Sequence, residues 1–503
     1  MSGYLIGVDQ GTTNTKAVLV DEHGKILGLA TRPIPVETPE PGWAEQDPMV
    51  MFANVTACIA ELLDRQDVSA GQVAALGISN QTETLVLWEA ETGRPVHPAI
   101  IWQCRRSQAE AAELEAPETV ALIRRRSGLD LDPTFTATKL RWVLGHRPEI
   151  AEGLRAGRVL FGTVDSWLVW KLTGGACYAT ESSNASRTML FRIDDLEWDD
   201  ELFDLFELPI GRRPEVHRTT GPFGHTAGAL FGAEIPITGV LGDQQAALFG
   251  HGCHAQGGLK VTYGTGAFIW ANAGHDYSPR EGAGFLQTVA WHLDRPTYAF
   301  EGFIMYAGAI LDWLASTLGL GADALEIVRK AREAGDSQGV ALVPAFQGLA
   351  SPWWNAEVSA AFLGLNASTR DGHLCHAALE AVCFQVRRVL EAMREDGGTE
   401  ARALRVDGGP TKSDYLMQLQ ADVLDQPLWR AAEENVTPLG AALMAGLGRG
   451  LWSDPAEIAP LLGPGEEVRP SGESGRRTEA QYHRWLAAVD AAIAWSERTT
   501  SGR

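Results

Sequence analysis

No apolar run in this sequence approaches the ~18 residues of a membrane-spanning helix. The opening residues read as a strand, without the basic segment, apolar core and small-residue cleavage site of a leader. Cysteine is scarce: six in 503 residues (Cys58, Cys104, Cys177, Cys253, Cys375, Cys383), scattered without paired spacing. That spacing indicates neither a zinc site nor a disulfide framework, and a reducing cytoplasm is the expected setting. Basic charge is short as well, with 42 Lys and Arg against 64 Asp and Glu, a net charge of -22. The deficit argues against nucleic acid and anionic membrane as partners, since both call for basic surface. Apolar material is plentiful. With 45% hydrophobic and 21% charged residues the chain has the composition of a globular protein, and its length predicts two large domains.

The most informative stretch runs from Leu5 to Val20. Leu5 to Val8 and Ala17 to Val20 have strand length and branching, and a polar turn with Gly11, Thr12, Thr13 and Asn14 joins them, with Lys16 just beyond. Gly11 lets the backbone come close to an anion, while hydroxyl, amide and successive N–H donors can converge on an oxyanion. Asp9 beside a phosphate would be repelled unless a divalent cation lay between them, which suggests magnesium held partly through water. Alone, the turn fits an ordinary polar hairpin tip equally well. Residues 257–271 repeat the design around Gly264-Thr265-Gly266, implying two halves of related construction. A third glycine turn, Asp407-Gly408-Gly409, follows a strand and precedes a helix, as a nucleotide-binding element does.

Between these turns the chain alternates strands and helices, the pattern of an α/β sheet layer. Asp47 and Pro48 are an N-cap and a first helical residue, followed by Met51, Val55, Ile59 and Leu62 at helical spacing. The strand Val73 to Ile78 runs into Ser79 to Thr84, where Glu83 could accept two hydroxyl hydrogen bonds from a polyol or belong to a solvated loop. A short strand is expected from Ala99 to Gln103, with Trp102 at its mouth as a substrate wall or a core residue, and a polar helix is expected at Cys104 to Ser107. Thr180 to Arg187 reads as a polar loop. Asp243 stands where a buried strand ends and a helix begins. It can serve as an N-cap, or as a general base that takes the proton from a hydroxyl attacking phosphorus.

Taken together, these residues resemble the FGGY carbohydrate kinases, and among them most of all the glycerol kinases. The matching phrases run nearly end to end: Val8 to Thr13, Gly42-Trp43 with Asp47-Pro48, Gly77 to Gln81, Ile101 to Arg106, Phe161 to Trp167, Asn184 to Thr188, Gly242 to Ala247, Thr262 to Gly266 and Asp407 to Gly409. The resemblance implies an α/β fold of two ribonuclease-H-like domains, as in actin and the heat-shock chaperones, closing over a central cleft. Residues 1–250 would carry polyol and phosphate, and residues 251–503 the nucleotide. It implies ATP and Mg2+ as cofactors, a homo-oligomer taken as a dimer, Asp243 as general base, and Asp9 with Asp243 at the metal. Thr12, Thr13, Asn14, Lys16, Thr265, Gly266, Gly308, Asp312, Gly409 and Ser413 fall at nucleotide positions. Glu83, Thr82, Trp102, Thr134, Asp243, Gln244 and Phe268 fall at substrate positions.

The departures are as informative. Where the glycerol kinases usually have Arg and Tyr, this chain has Thr82 and Thr134, which removes two hydrogen-bonding groups and leaves volume. The expected substrate is therefore a longer polyol or related small sugar, with a pentulose as the alternative acceptor. Lys16 replaces an Arg, Asp312 a Gln and Ser413 an Asn at the nucleotide, and Glu234 stands where an allosteric sugar-bisphosphate site would need Arg. A nucleotide-driven conformational switch of the actin or chaperone kind would share the hairpins without needing Glu83, Trp102 and Asp243. A catalytically silent polyol sensor would keep the pocket without turnover.

Overall fold

Two large sheets with one wiring plan organise the chain, in a computed structural model that describes residues 3–280, 282–400, 403–472 and 475–500. Across the first sheet the order is Ile237–Gly242, Val73–Asn80, Tyr4–Gln10, Asn14–Val20 and Ile26–Pro33. The first three strands are parallel, and the other two return as an antiparallel meander. In the second sheet Leu428–Arg430, Ala403–Asp407, Gly258–Tyr263, Ala267–Gly274 and Pro296–Ile304 take the same places in the same directions. Glu466–Val468 and Leu286–His292 extend its two edges. The repeat expected from two hairpins is thus a repeat of whole sheets, the arrangement of paired ribonuclease-H-like units.

The first hairpin shows why its flanks read as continuous apolar runs. Alternation along a strand sends successive side chains to opposite faces. Ile6, Val8, Ala17 and Leu19 pack on one face beneath the helix Pro48–Arg65, while Leu5, Val18 and Val20 pack on the other. That helix starts as expected: the Asp47 carboxylate accepts the Met49 N–H at 2.7 Å, and Met51, Val55, Ile59 and Leu62 are buried.

The opposite face of the first sheet is covered by the helix Val436–Gly448, which follows the second sheet's strand Leu428–Arg430 in sequence. Gly7, Gly77 and Gly239 lie side by side on three adjacent strands and form the groove that receives it. A Cβ on Gly7 or Gly77 would stand 1.9 Å from the carbonyl oxygen of Pro438 or Ala441, and one on Gly239 2.5 Å from the Ala445 nitrogen. The helix Asp243–Gly250 crosses the same helix closely, since a Cβ on Gly440 would stand 2.0 Å from the Ala246 oxygen. The small residues of this segment thus serve backbone-to-backbone contact between the halves.

Two expectations fail. Only Ala99–Ile100 is strand and no helix forms at Cys104 to Ser107; the next helix is Gln108–Ala112. The Ile101 and Arg105 N–H groups are engaged by the carbonyls of Ala44 and Gly42, which holds this segment against that loop. Thr180 to Arg187 is no surface loop. It forms the strand Ala179–Glu181 and the helix Ser182–Ala185, wholly buried, with the Glu181 carboxylate accepting the N–H groups of Ser183 at 2.8 Å and Asn184 at 2.6 Å. Polar composition misleads where polar groups satisfy one another. No helix among the described residues is long and apolar enough to cross a membrane.

Candidate active site

Strand register brings the site together. Asp9 lies beside Ser79, and Gln10, Asn80 and Gly242 are in line, so three parallel strands end level at their carboxyl ends, where ligands gather in open α/β sheets. Ser79 Oγ donates to Asp9 Oδ1 at 3.1 Å. Burial nonetheless pushes the Asp9 carboxyl up to about 6, against that bond and the Lys16 charge. Asp243 is half-buried and is not the N-cap. Gly242 holds that position, and Asp243 is the first helical residue, accepting the Gln244 N–H at 2.6 Å. Burial, followed by the like charges of Asp9 and Glu83, pushes Asp243 up to about 8, with Lys260 pulling the other way. A carboxyl tuned toward neutrality at a strand end is suited to taking a proton.

Glu83 is 6% exposed, so the solvated-loop alternative fails. Its φ of 63° is left-handed, costly for a residue with a Cβ, and its surroundings hold it there. Thr136 Oγ1 and Lys139 Nζ each donate to the Glu83 carbonyl at 3.0 Å. Thr82 Oγ1 donates to one carboxylate oxygen at 2.7 Å and Arg187 Nε to the other at 2.6 Å. The second arm of Arg187 reaches Glu301 of the second sheet at 2.7 Å, which ties the halves together. Lys139 is fully buried; burial brings its amine down to about 7 while the Glu83 charge opposes the shift.

In the first hairpin the Gly11 N–H bonds the Asn14 carbonyl at 3.1 Å and closes the turn. Thr12 Oγ1 accepts the Trp102 indole N–H at 2.8 Å, and Gln46 donates to the Thr12 carbonyl at 2.6 Å. Thr13 is exposed, and the Asn14 amide donates to its hydroxyl at 3.2 Å. Lys16 Nζ donates to Asn435 Oδ1 at 3.3 Å, just ahead of the helix Val436–Gly448. Trp102 is half-buried and meets Phe268 of the second sheet edge-on at 6.5 Å, so the two rings face each other from opposite halves. Arg105 reaches Asp132 at 2.8 Å and Thr134 Oγ1 at 3.4 Å, and Lys139 Nζ donates to the Thr134 carbonyl.

The second half offers backbone where the first offers carboxylates. The Gly264 N–H bonds the Gly266 carbonyl at 2.8 Å, and the Thr265 carbonyl accepts the Ala307 and Ala309 N–H groups at 2.7 and 3.1 Å. The Gly308 N–H bonds the Gly264 carbonyl at 2.9 Å. Gly408 has a φ of 95° and lies against Tyr263, whereas a Cβ on Gly409 would have no heavy atom within 4 Å. Asp312 is exposed, one turn beyond Gly308 on the helix Gly308–Ser316. The Ser413 hydroxyl caps the helix Asp414–Leu424, accepting the Leu416 N–H at 3.2 Å.

Sequence reasoning gave no role to Arg187, Lys139, Lys260, Gln46 or Gln81. The legible signal was a cation inside an apolar stretch, as in Leu259-Lys260-Val261. Among the described residues no group of three or more His, Cys, Asp or Glu is placed to hold a metal ion.

The family model for the N-terminal domain of the FGGY family of carbohydrate kinases matches residues 4–250, and that for the C-terminal domain matches residues 259–448. The glycerol kinase of Alkaliphilus metalliredigens is 42% identical over 497 residues, covering 98% of this chain and 99% of its own. That of Citrifermentans bemidjiense is 44% identical with the same coverage. Among solved structures, Plasmodium falciparum glycerol kinase with ADP matches with a TM-score of 0.91 at 29% identity, covering 98% of each chain. A xylulose kinase from Rhodospirillum rubrum matches at 0.86 and 26% identity, covering 98% of this chain and 100% of its own.

Proposed function

The chain belongs to the FGGY family of carbohydrate kinases, and from that premise we propose that it transfers the γ-phosphate of ATP to a terminal hydroxyl of a polyol longer than glycerol. The observation that carries this reading is the convergence of Asp9, Glu83 and Asp243 at the ends of three level strands. In the reaction Asp243 takes the proton of the attacking hydroxyl. Thr12, Thr13 and Lys16 from one half and Thr265 from the other stabilise charge on the moving phosphoryl group. Asp9 and Asp243, two neighbouring carboxylates both raised by burial, are the residues that would hold Mg2+. Bound there, the cation would neutralise phosphate charge. Residues 1–250 carry the polyol in this reading, and residues 251–503 carry the nucleotide on Gly266, Gly308 and Gly409.

The acceptor preference rests on Thr82 and Thr134. Thr82 turns its hydroxyl onto Glu83, and Thr134 Oγ1 meets Arg105 at 3.4 Å, so neither position carries a phenol or guanidinium of its own to bond a substrate hydroxyl. Each Glu83 oxygen accepts one protein donor and keeps a lone pair for a substrate hydroxyl. A pentulose would use the same groups. The test is ADP release from MgATP against glycerol, tetritols, pentitols and ketoses. A four- or five-carbon acceptor should exceed glycerol in kcat/KM, and Asp243→Ala should lower its turnover by about 10³-fold. Glycerol matching or beating every longer acceptor would refute the preference. ADP release indifferent to all acceptors would refute the kinase reading.

A further inference from the structure

The helix Asp243–Gly250 leaves the first sheet, yet two neighbouring strands of the second grip both its ends. At its start, Gln244 Oε1 accepts a hydrogen bond from Lys260 Nζ at 2.5 Å, and Nζ also donates to Thr262 Oγ1 at 2.9 Å. Just past its end, His251 Nε2 lies 3.0 Å from Asp407 Oδ2, and Asp407 pairs in register with Thr262. Lys260 is 0% exposed and among the described residues forms no ion pair, with Asp407 and Asp243 as the nearest influencing carboxylates, an unfavourable place for an ammonium unless its donors have a task.

An ammonium carries donors only, so it decides which end of an amide turns toward it. With Oε1 held by Lys260, the Gln244 Nε2 group must face the other way. That matters because the neighbouring acceptor-side groups are carboxylates. When ionised, as Asp243 must be to take a proton and Asp9 to hold a cation, these carboxylates accept hydroxyl protons and offer no donor, and the Thr82 hydroxyl is turned onto Glu83. A polyol hydroxyl needs both kinds of partner.

We propose that Lys260 is a positioning residue for acceptor specificity: it locks the Gln244 amide so that Nε2–H is presented as a donor to a substrate hydroxyl beside Asp243. This rests on the kinase reading above. It is tested by a double-mutant cycle of Lys260→Met and Gln244→Ala, with Lys260→Arg as the conservative variant, measuring KM for polyol, KM for MgATP and kcat. Lys260→Met should raise the polyol KM about tenfold, leave the MgATP KM within about twofold, and add nothing further in the Gln244→Ala background. Lys260→Arg should recover most of the loss.

Additive effects of the two substitutions would overturn the proposal, as would a rise confined to the MgATP KM. Gln244→Glu gives a line of evidence that survives if Lys260→Met fails to fold. The carboxylate still bonds Lys260 but offers no donor, so the polyol KM should again rise about tenfold, and an unchanged value would overturn the proposal. Loss of polyol-dependent ADP release in the unaltered chain would refute the kinase reading itself. Failure of the positioning role alone would instead appear as normal wild-type turnover with additive variants.

Discussion

The two sheets share a wiring plan, but their carboxylates meet opposite fates. At the strand ends of the first sheet burial pushes Asp9 up to about 6, and burial followed by the charges of Asp9 and Glu83 pushes Asp243 up to about 8, outweighing the Ser79, Lys16 and Lys260 contributions that oppose them. At the equivalent end of the second, burial would also raise Asp407, yet His251, with Lys260 and Thr262, brings it down to about 2. The duplicated frame therefore yields one end with acids close to neutrality and another with a paired anion beside a glycine turn. Pairing, more than topology, separates carboxyls held near neutrality from an ionised, paired one.

The largest effect that would sharpen this comparison is Asp243→Asn, expected to reduce kcat by about 10³-fold or more. The same change should stabilise the cation-free protein. Between the ordinary 3.8 and about 8 the folded chain holds a proton on Asp243 that the unfolded chain has released, so stability falls as pH rises through that window. The stability advantage of the variant in urea unfolding should therefore widen as pH rises from about 4 to about 8, the span of that window; a constant gap would contradict the raised carboxyl.

On the paired side, Asp407→Asn should cost about 3 kcal/mol in the same measurement at neutral pH, since it breaks a buried pair. Its sign with pH is opposite. The Asp407 contribution is complete above the ordinary 3.8 and is lost as pH falls toward about 2. An unchanged midpoint at neutral pH would mean that His251 contributes nothing to the fold.

Next come two glycines of contrasting surroundings. Gly77→Ala drives a Cβ to 1.9 Å from the Ala441 carbonyl and should destabilise by about 1–3 kcal/mol. Gly409→Ala meets no heavy atom within 4 Å and should leave unfolding unchanged while raising the MgATP KM several-fold. Equal effects on stability would erase the distinction between a packing glycine and a glycine left open for a ligand. The remaining change is Thr134→Tyr. Returning a phenol to the pocket should shift the kcat/KM ratio of glycerol to longer polyols toward glycerol by about tenfold.

Much of this was legible in the chain alone, because it depends on local chemistry. The two hairpins, the Asp47-Pro48 helix start and the strand-to-helix junction at Asp243 follow from periodicity and capping within a few residues. Family phrases then assigned Asp9, Glu83 and Asp243 to one site. Other features depended on partners distant in sequence. Thr180 to Arg187 read as a polar loop because its partners, among them Glu83 at 104 positions' separation from Arg187, meet only after folding. Asp243 read as a cap or a general base, and its proton affinity is set by burial first and then by Asp9 and Glu83 on neighbouring strand ends. Nothing around Lys260 in sequence indicates Gln244, 16 residues away in the other half. Composition and spacing determine which segments become strands, helices and turns, since those choices are made over a few residues. Which buried charges are paired and which are left raised is decided by tertiary packing, because electrostatic energy depends on through-space distance and burial rather than on separation along the chain.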